Sequence, residues 1–282
     1  MRRSTRSAIS ERNHPRDRLT GTTMIDAIYA SISGLQAHQL RLDALSNNLA
    51  NVSTPGFKKT RVNFADLMYR PVTGGVTDAG VQEKLPQLGL GTAVASTEAI
   101  FSQGDMRQTQ RPLDMAILGQ GFLEVQLADG SFAYTRLGSL RLNETGELVT
   151  QDGLRISGDI RVPAEATKLV IGQDGKIMAT MPGEDDPEEI GQLELTGFVN
   201  AAGLKLLGGG LYGATEESGE AFYGTPGEVG LGKLRQGFLE MSNVDFVEEL
   251  AELVVAQRAY QLNARALQAA DEVLAEINGL RR

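Results

Sequence analysis

The chain has 282 residues, with 27 Lys+Arg against 36 Asp+Glu, 33 Gly, two His, no Cys and no Trp. Without Cys there are no disulfides, thiolate nucleophiles, Cys–zinc sites or Fe–S clusters, and His14 and His38 are too few for a multi-His metal site or a probable Ser-His-Asp triad. A net charge of −9 argues against nucleic-acid binding, and no apolar run reaches the roughly 18 residues of a membrane span, so no catalytic residue, metal, cofactor, nucleic acid or membrane insertion is expected.

Residues 1–23 stand apart. Six Arg (Arg2, Arg3, Arg6, Arg12, Arg16, Arg18) outnumber Glu11 and Asp17, and apolar residues are almost missing. A secretory signal needs an apolar segment after its basic end, and there is none here. Three readings stand side by side: a basic disordered extension, a targeting segment, or sequence upstream of a true start at Met24, where regular apolar spacing begins.

From Ile25 the apolar residues Ile25, Ile28, Ile32, Leu35, Leu42, Leu45, Leu49 and Val52 follow one another at gaps of 3, 4 or 7. This spacing predicts a helix over about 25–51 with a seven-residue repeat in which Gln39 fills a seam position. Pro55 and Gly56 end it, and Asn47, Asn48 and Asn51 are placed to satisfy backbone groups at its end. Residues 24–56 are therefore a first axial helix and 57–110 an extended connecting segment. Lys58, Lys59 and Arg61 beside Phe57 and Phe64 read as a packed elbow with solvated charges.

Residues 111–240 have the grammar of a β domain. The β-prone segments are Gly121–Leu127, Phe132–Arg136, Leu148–Thr150, Lys168–Ile171, Lys176–Met181 and Gln192–Val199. Turn dipeptides Asp129-Gly130, Thr145-Gly146, Asp152-Gly153 and Asp174-Gly175 separate them, which is a hairpin signal. Gly119-Gln120-Gly121 lacks the third Gly and precedes a strand, so it is no dinucleotide fingerprint. The acidic run Glu184–Glu189 reads as a loop tip, and the Gly-rich stretch 203–232 as surface loops.

In 241–282, Phe246, Leu253, Tyr260, Leu267 and Leu274 recur every seven residues. Leu250, Gln257, Ala264 and Asp271 take the second seam position four residues later. Ser242-Asn243 is read as the cap of a helix over about 244–279, with Asp245, Glu248 and Glu249 at its positive end. The fold class is thus mixed α and β: terminal helices forming a coiled coil around a central antiparallel β-rich domain.

The passage Ser46-Asn47-Asn48-Leu49-Ala50-Asn51-Val52-Ser53-Thr54-Pro55-Gly56-Phe57 strongly resembles the signature of the bacterial flagellar axial proteins, which comprise rod, hook and hook-associated proteins. Its motif residues here are Ser46, Asn48, Leu49, Ala50, Asn51, Thr54, Gly56 and Phe57. The far end agrees: Ser242–Asp245 and Gln257-Arg258-Ala259-Tyr260 resemble the family's closing helix. Within the family, the length from Met24 and the stretch Gly56–Tyr69 resemble the distal rod members, with the proximal rod members as the alternative. A β domain with oligomerising helices and an unrecognised ligand is the alternative outside the family.

The resemblance implies a non-enzymatic subunit that polymerises into a helical rod, transmits torque from motor to hook and walls the export channel. It implies as partners further copies of the chain, proximal rod proteins, the hook protein, the rings around the rod and the flagellar type III export apparatus. It implies a basal-body location across the periplasm and outer membrane, without a cleaved signal. Expected assembly contacts are Ile28, Ile32, Leu35, Leu42, Leu45 and Leu49 against Phe246, Leu250, Leu253, Tyr260, Leu267 and Leu274. Isolated helices are marginal in water, so the ends are expected to order on assembly.

Overall fold

The computed structural model describes residues 16–71, 87–158, 160–183, 186–228 and 230–280. Two 35-residue helices, α1 (Arg16–Ala50) and α2 (Phe246–Leu280), stand before and after a β-rich middle. The chain divides into two compact units. One comprises Met1–Leu40, Phe64–Ala95 and Ala256–Arg282; the other comprises Arg41–Asn63 and Ser96–Val255.

In the first unit, the α1 and α2 segments meet at a small residue. A Cβ on Gly34 would lie 2.8 Å from the Asn263 side-chain nitrogen, so Gly34 is where α1 allows this close approach. The Ser33 hydroxyl donates to the Ala30 carbonyl at 2.9 Å and accepts the Thr92 amide at 3.2 Å. Strands Tyr69–Pro71 and Gln87–Gly89 pair antiparallel in this unit.

In the second unit, a seven-stranded antiparallel sheet carries the β domain. Its order is Lys205–Gly208, Leu211–Gly213, Phe132–Thr135, Leu123–Gln126, Arg155–Ile156, Leu148–Thr150 and Leu140–Leu142. A three-stranded sheet, Lys168–Ile171, Lys176–Thr180 and Glu188–Gln192, packs its buried alternate residues into the same core. Met115, Ile117, Leu123, Val125, Leu140, Ile177, Leu193, Leu195 and Leu234 are its centre. A second cluster joins Phe122, Tyr134 and Tyr212, with Phe101 and Phe198 packed edge-on at centroid distances of 4.7–6.0 Å. Edge-to-face contacts of this kind match the ring quadrupoles.

The turn glycines behave as their dipeptides demand. Gly130, Gly146, Gly153 and Gly175 all have φ between 80° and 85°, which a side chain would strain. Asp129 completes the first turn by accepting the Ser131 amide at 2.9 Å and its hydroxyl at 2.6 Å.

Several expectations need correction. Helix α1 begins at Arg16, so residues 16–23 are helical and not a disordered extension; residues 1–15 lie outside the described residues. The stretch 203–232 is not loop alone. It holds strands Lys205–Gly208, Leu211–Gly213 and Phe222–Gly224, and it buries Leu204 and Tyr212. Its strands are only three or four residues long, too short for alternation to show among so many glycines. In the acidic run, Glu188 and Glu189 open a strand, while Glu184 and Asp185 lie outside the described residues. The cap of α2 is Asp245, whose carboxylate accepts the amides of Val247 at 2.8 Å and Glu248 at 3.1 Å; Asn243 is used elsewhere.

The helix faces also differ from the heptad reading. Gln39, Leu250, Gln257 and Asp271, placed on the seam, are exposed. The covered line of α2 runs instead through Glu249, Ala256, Asn263 and Ala270, with Leu253, Leu267 and Leu274 beside it. This register lies one residue before the predicted second seam. Small and polar residues carry it because they let backbones come close, and a search for large apolar side chains passes over them.

Candidate functional site

The second unit joins both terminal helices to the β domain, and the residue chemistry concentrates there. Helix α1 stops at Ala50, where the Asn51 amide folds back on the Asn47 and Asn48 carbonyls at 3.2 and 3.1 Å. The Asn51 side chain donates to the Asn47 carbonyl at 2.9 Å and accepts the Thr54 hydroxyl at 3.2 Å. Pro55 then bars further helix, and Gly56 turns the chain at φ 69°. A Cβ on Gly56 would sit 3.2 Å from the Arg136 carbonyl, so glycine answers both the angle and the space. The Gly56 amide donates to the Glu240 carbonyl at 2.8 Å, which binds the turn to the last strand before α2.

Asn48 is fully buried and acts as a surrogate strand. Its side-chain amide donates to the Thr60 carbonyl at 2.9 Å, and its oxygen accepts the Thr60 amide at 2.9 Å. This pair mimics a backbone ladder at the start of β1 (Thr60–Asp66). The same amide reaches Glu249 of α2 at 3.1 Å. The Lys59 ammonium pairs with Glu249 at 2.6 Å and with Glu248 at 3.5 Å. Arg41 and Glu252 form a further bridge at 3.1 Å. Asn48–Glu249 and Arg41–Glu252 thus run in opposite chain directions, and in this unit α1 and α2 are antiparallel neighbours.

Beneath the turn lies a buried triad. The Lys58 ammonium meets the Glu240 carboxylate at 2.6 Å and the Ser102 carbonyl at 2.7 Å. Glu240 also accepts the Gly104 amide at 2.9 Å and the Arg136 guanidinium at 3.2 Å. Arg136 in turn donates to the Gly119 carbonyl at 2.7 Å and lies 5.5 Å from the Phe122 ring centre. All three side chains are 2 % exposed or less. The elbow of solvated charges expected around Lys58 is therefore wrong for Lys58. The Glu240 carboxylate and the Ser102 carbonyl accept from its ammonium in place of the water that a surface lysine keeps.

The environment sets the proton affinities. Burial pulls Lys58 below the usual lysine range, and the Glu240 charge opposes it. Burial would lower Lys59 too, but its hydrogen bond to Glu249 and the Glu249 and Glu248 charges outweigh that and raise it. Desolvation pushes the Tyr212 phenol up to about 12.

Asn243 binds the far side of the junction. Its oxygen accepts the Lys59 amide at 2.7 Å, and its nitrogen donates to the Ile100 carbonyl at 2.7 Å and the Ser102 hydroxyl at 2.8 Å. The arrangement holds no nucleophile next to a base, and no metal-binding group of His, Asp or Glu occurs among the described residues. Its chemistry is mechanical: it fixes two helices to one β domain.

The residues expected at helix contacts divide. Leu45 is buried, and Ile28, Leu35, Leu42, Leu49, Leu253, Leu267 and Leu274 are half-buried. Ile32, Phe246, Leu250 and Tyr260 are exposed, and they are not brought to a covered contact. Among the motif residues, Asn48 and Gly56 are buried; Leu49, Asn51, Phe57 and Ala259 are half-buried; and Ser46, Ala50, Thr54, Gln257, Arg258 and Tyr260 face outward. Sequence reasoning missed Arg136, Glu240 and Glu249 as functional residues. Glu240 is 182 residues from Lys58, and no local pattern announces such a partner.

Comparison with known proteins gives three matching segments. Residues 28–58 match the family described as flagella basal body rod protein. Residues 116–179 match the flagellar hook protein FlgE/F/G D1 domain, and 235–280 the flagellar basal body rod FlgEFG protein C-terminal family. The flagellar basal-body rod protein FlgG of Buchnera aphidicola subsp. Schizaphis graminum is 44% identical over 260 residues, covering 91% of this chain and 100% of the relative. The chain belongs to the flagellar basal-body rod protein family. FlgG of Borreliella burgdorferi is 41% identical over 264 residues, with 92% and 100% coverage. The flagellar hook protein FlgE of the same organism is 39% identical over 150 residues, covering 52% of this chain and 34% of the relative.

This rod protein is accordingly a structural component of the flagellar basal body and not an enzyme. The buried triad takes one residue from each matched segment: Lys58, Arg136 and Glu240. The junction is thus the place where the three family segments of the rod protein are tied together.

Proposed function

We propose that this rod protein is the subunit of the distal rod, where copies assemble into a helical tube that carries torque from motor to hook. The observation that carries the reading is the two-ended clasp. Asn48 and Lys58 from the first helix and turn, and Glu240 and Glu249 from the far end, close on one β domain. A shaft subunit must not let its helices slip against its body under load, and buried charged hydrogen bonds resist such slippage because separating them leaves charges without water.

Assembly needs uncovered apolar surface, and both helices offer it. Val247, Leu250, Val254, Val255 and Leu262 are exposed on α2, and Tyr29, Ile32 and Leu40 on α1. Monomers rarely leave such patches open without a partner. Packing of these faces between copies, in a coiled-coil manner, is the proposed polymer contact. The inner wall of that tube would line the export channel. The stretch Gly56–Tyr69, which resembles the distal rod members, supports a distal position, with a proximal position as the alternative.

On the same reading, proximal rod proteins and the hook protein bind the two ends of the polymer, and the rings encircle it. The rod would cross the periplasm and outer membrane, its subunits delivered by type III export without a cleaved signal. The residue pair Val254→Glu and Leu262→Glu tests the proposal. Each carboxylate lies on an already exposed face, so the chain keeps its fold by circular dichroism and loses polymerisation. Normal polymers from the double variant would refute the contact.

A further inference from the structure

The junction's charge does not balance, and the imbalance lies beside a cavity. Lys58 and Arg136 are both cations, and Glu240 is the one carboxylate paired with either among the described residues. The buried cluster therefore carries one surplus positive charge. Each guanidinium end nitrogen has a protein acceptor, Nη1 in Glu240 and Nη2 in the Gly119 carbonyl. The Nε hydrogen has no protein acceptor, although Arg136 is only 4% exposed. Buried donors are rarely left so, because each costs its full desolvation.

Arg136 lines a cavity of about 140 Å³, together with Gln120, Gly121, Phe101, Phe122 and Phe198. Gln120, Val199 and Phe222 form its rim and are exposed, so small solutes can enter. The apolar rings exclude a multiply charged or strongly hydrated ion, and one surplus charge matches one negative charge. We propose that this cavity binds a small monovalent anion, held by the Arg136 Nε hydrogen and the charge of the Lys58–Arg136–Glu240 cluster. The inference is independent of the place of the subunit in the rod.

The test is thermal unfolding of the full chain against sodium bromide, with ionic strength held constant by a bulky anion too large for the cavity. A ligand that binds only the folded state raises the folded-to-unfolded ratio by 1 + [L]/Kd, about 11-fold at ten times Kd. A saturable rise in the unfolding temperature is expected. Ala201→Leu fills the cavity from its wall without touching the charged cluster, and it should abolish the rise. Lys58→Met removes the surplus charge and should do the same. Sodium acetate in place of bromide separates a carboxylate preference from a halide one. Absence of a saturable rise with either salt, or an equal rise in the Ala201→Leu chain, would overturn the proposal.

Discussion

Replacing Glu240 with Gln should be among the most damaging single changes of charge in this rod protein. The glutamine oxygen keeps an acceptor for the Gly104 amide and Lys58, but its NH2 faces the Arg136 guanidinium donor, so the charge and one acceptor are lost together. It leaves Lys58 and Arg136 buried together with no carboxylate between them. Breaking a buried pair from one side costs about 3–5 kcal/mol, a factor of roughly 150–5,000 in the folding constant. Lys58→Met gives the internal comparison. Arg136 still neutralises Glu240 at 3.2 Å, and the Ser102 carbonyl loses one donor but keeps Asn243 at 3.2 Å. Its cost should be about 1.5–3 kcal/mol, the scale of a lost hydrogen bond to a charged group. Urea unfolding followed by circular dichroism, at a concentration that keeps the chain monomeric, reads both from the midpoint and slope. Equal stability of Glu240→Gln and the parent, or a larger loss in Lys58→Met, would refute the argument that one carboxylate holds two buried cations.

Other outcomes follow from the same geometry. Asn48→Asp places a carboxylate against Glu249, so it should destabilise more than Asn48→Ala, which costs about 2–4 kcal/mol for three lost hydrogen bonds to Thr60 and Glu249; urea midpoints of the two variants rank them. Gly34→Val thrusts a side chain onto Asn263 and should weaken polymerisation, read by sedimentation, while the β-domain unfolding midpoint stays constant. Gly138→Ala drives its Cβ into the Met115 carbonyl and should prevent soluble expression of folded chain, whereas Gly130→Ala, with open space around it, pays only for φ 85°. Tyr212 ionises near 10 when unfolded but near 12 when folded, so the folded state holds more protons between those values. Its contribution is intact below pH 10 and is lost as pH rises toward 12, about 2–3 kcal/mol in all; Tyr212→Phe should flatten that part of the alkaline stability curve.

Most of the scaffold is legible in the residues. Alternation in Lys176–Thr180 and the Asp-Gly turns locate strands because both act within a few residues. Pro55 and Gly56 likewise declare the end of α1 by their own backbone chemistry. What escapes is what depends on distant partners. Lys58 reads as a surface charge because Ser102, Arg136 and Glu240 are 44, 78 and 182 residues away in sequence. The covered face of α2 escapes for another reason. Ala256, Asn263 and Ala270 look like solvent positions beside Leu250 and Tyr260, yet small side chains suit a close approach such as that of Gly34 to Asn263. Of the residues that dominate the periodicity, Phe246, Leu250 and Tyr260 are left facing out, while Leu253, Leu267 and Leu274 are half-buried. Asn48 reads locally as a residue that satisfies backbone groups at the helix end, and its larger role, pairing with Thr60 and Glu249, needs β1 and α2 in place.

The central claim is that copies of this chain assemble through their terminal helices into a rod. Sedimentation velocity of the full chain over a concentration series, with electron microscopy of any polymer, tests it most directly. Concentration-dependent growth into tubular filaments is expected, with α1 and α2 along the inner wall. A chain that remains monomeric at every concentration, with the exposed faces of both helices in water, would contradict it.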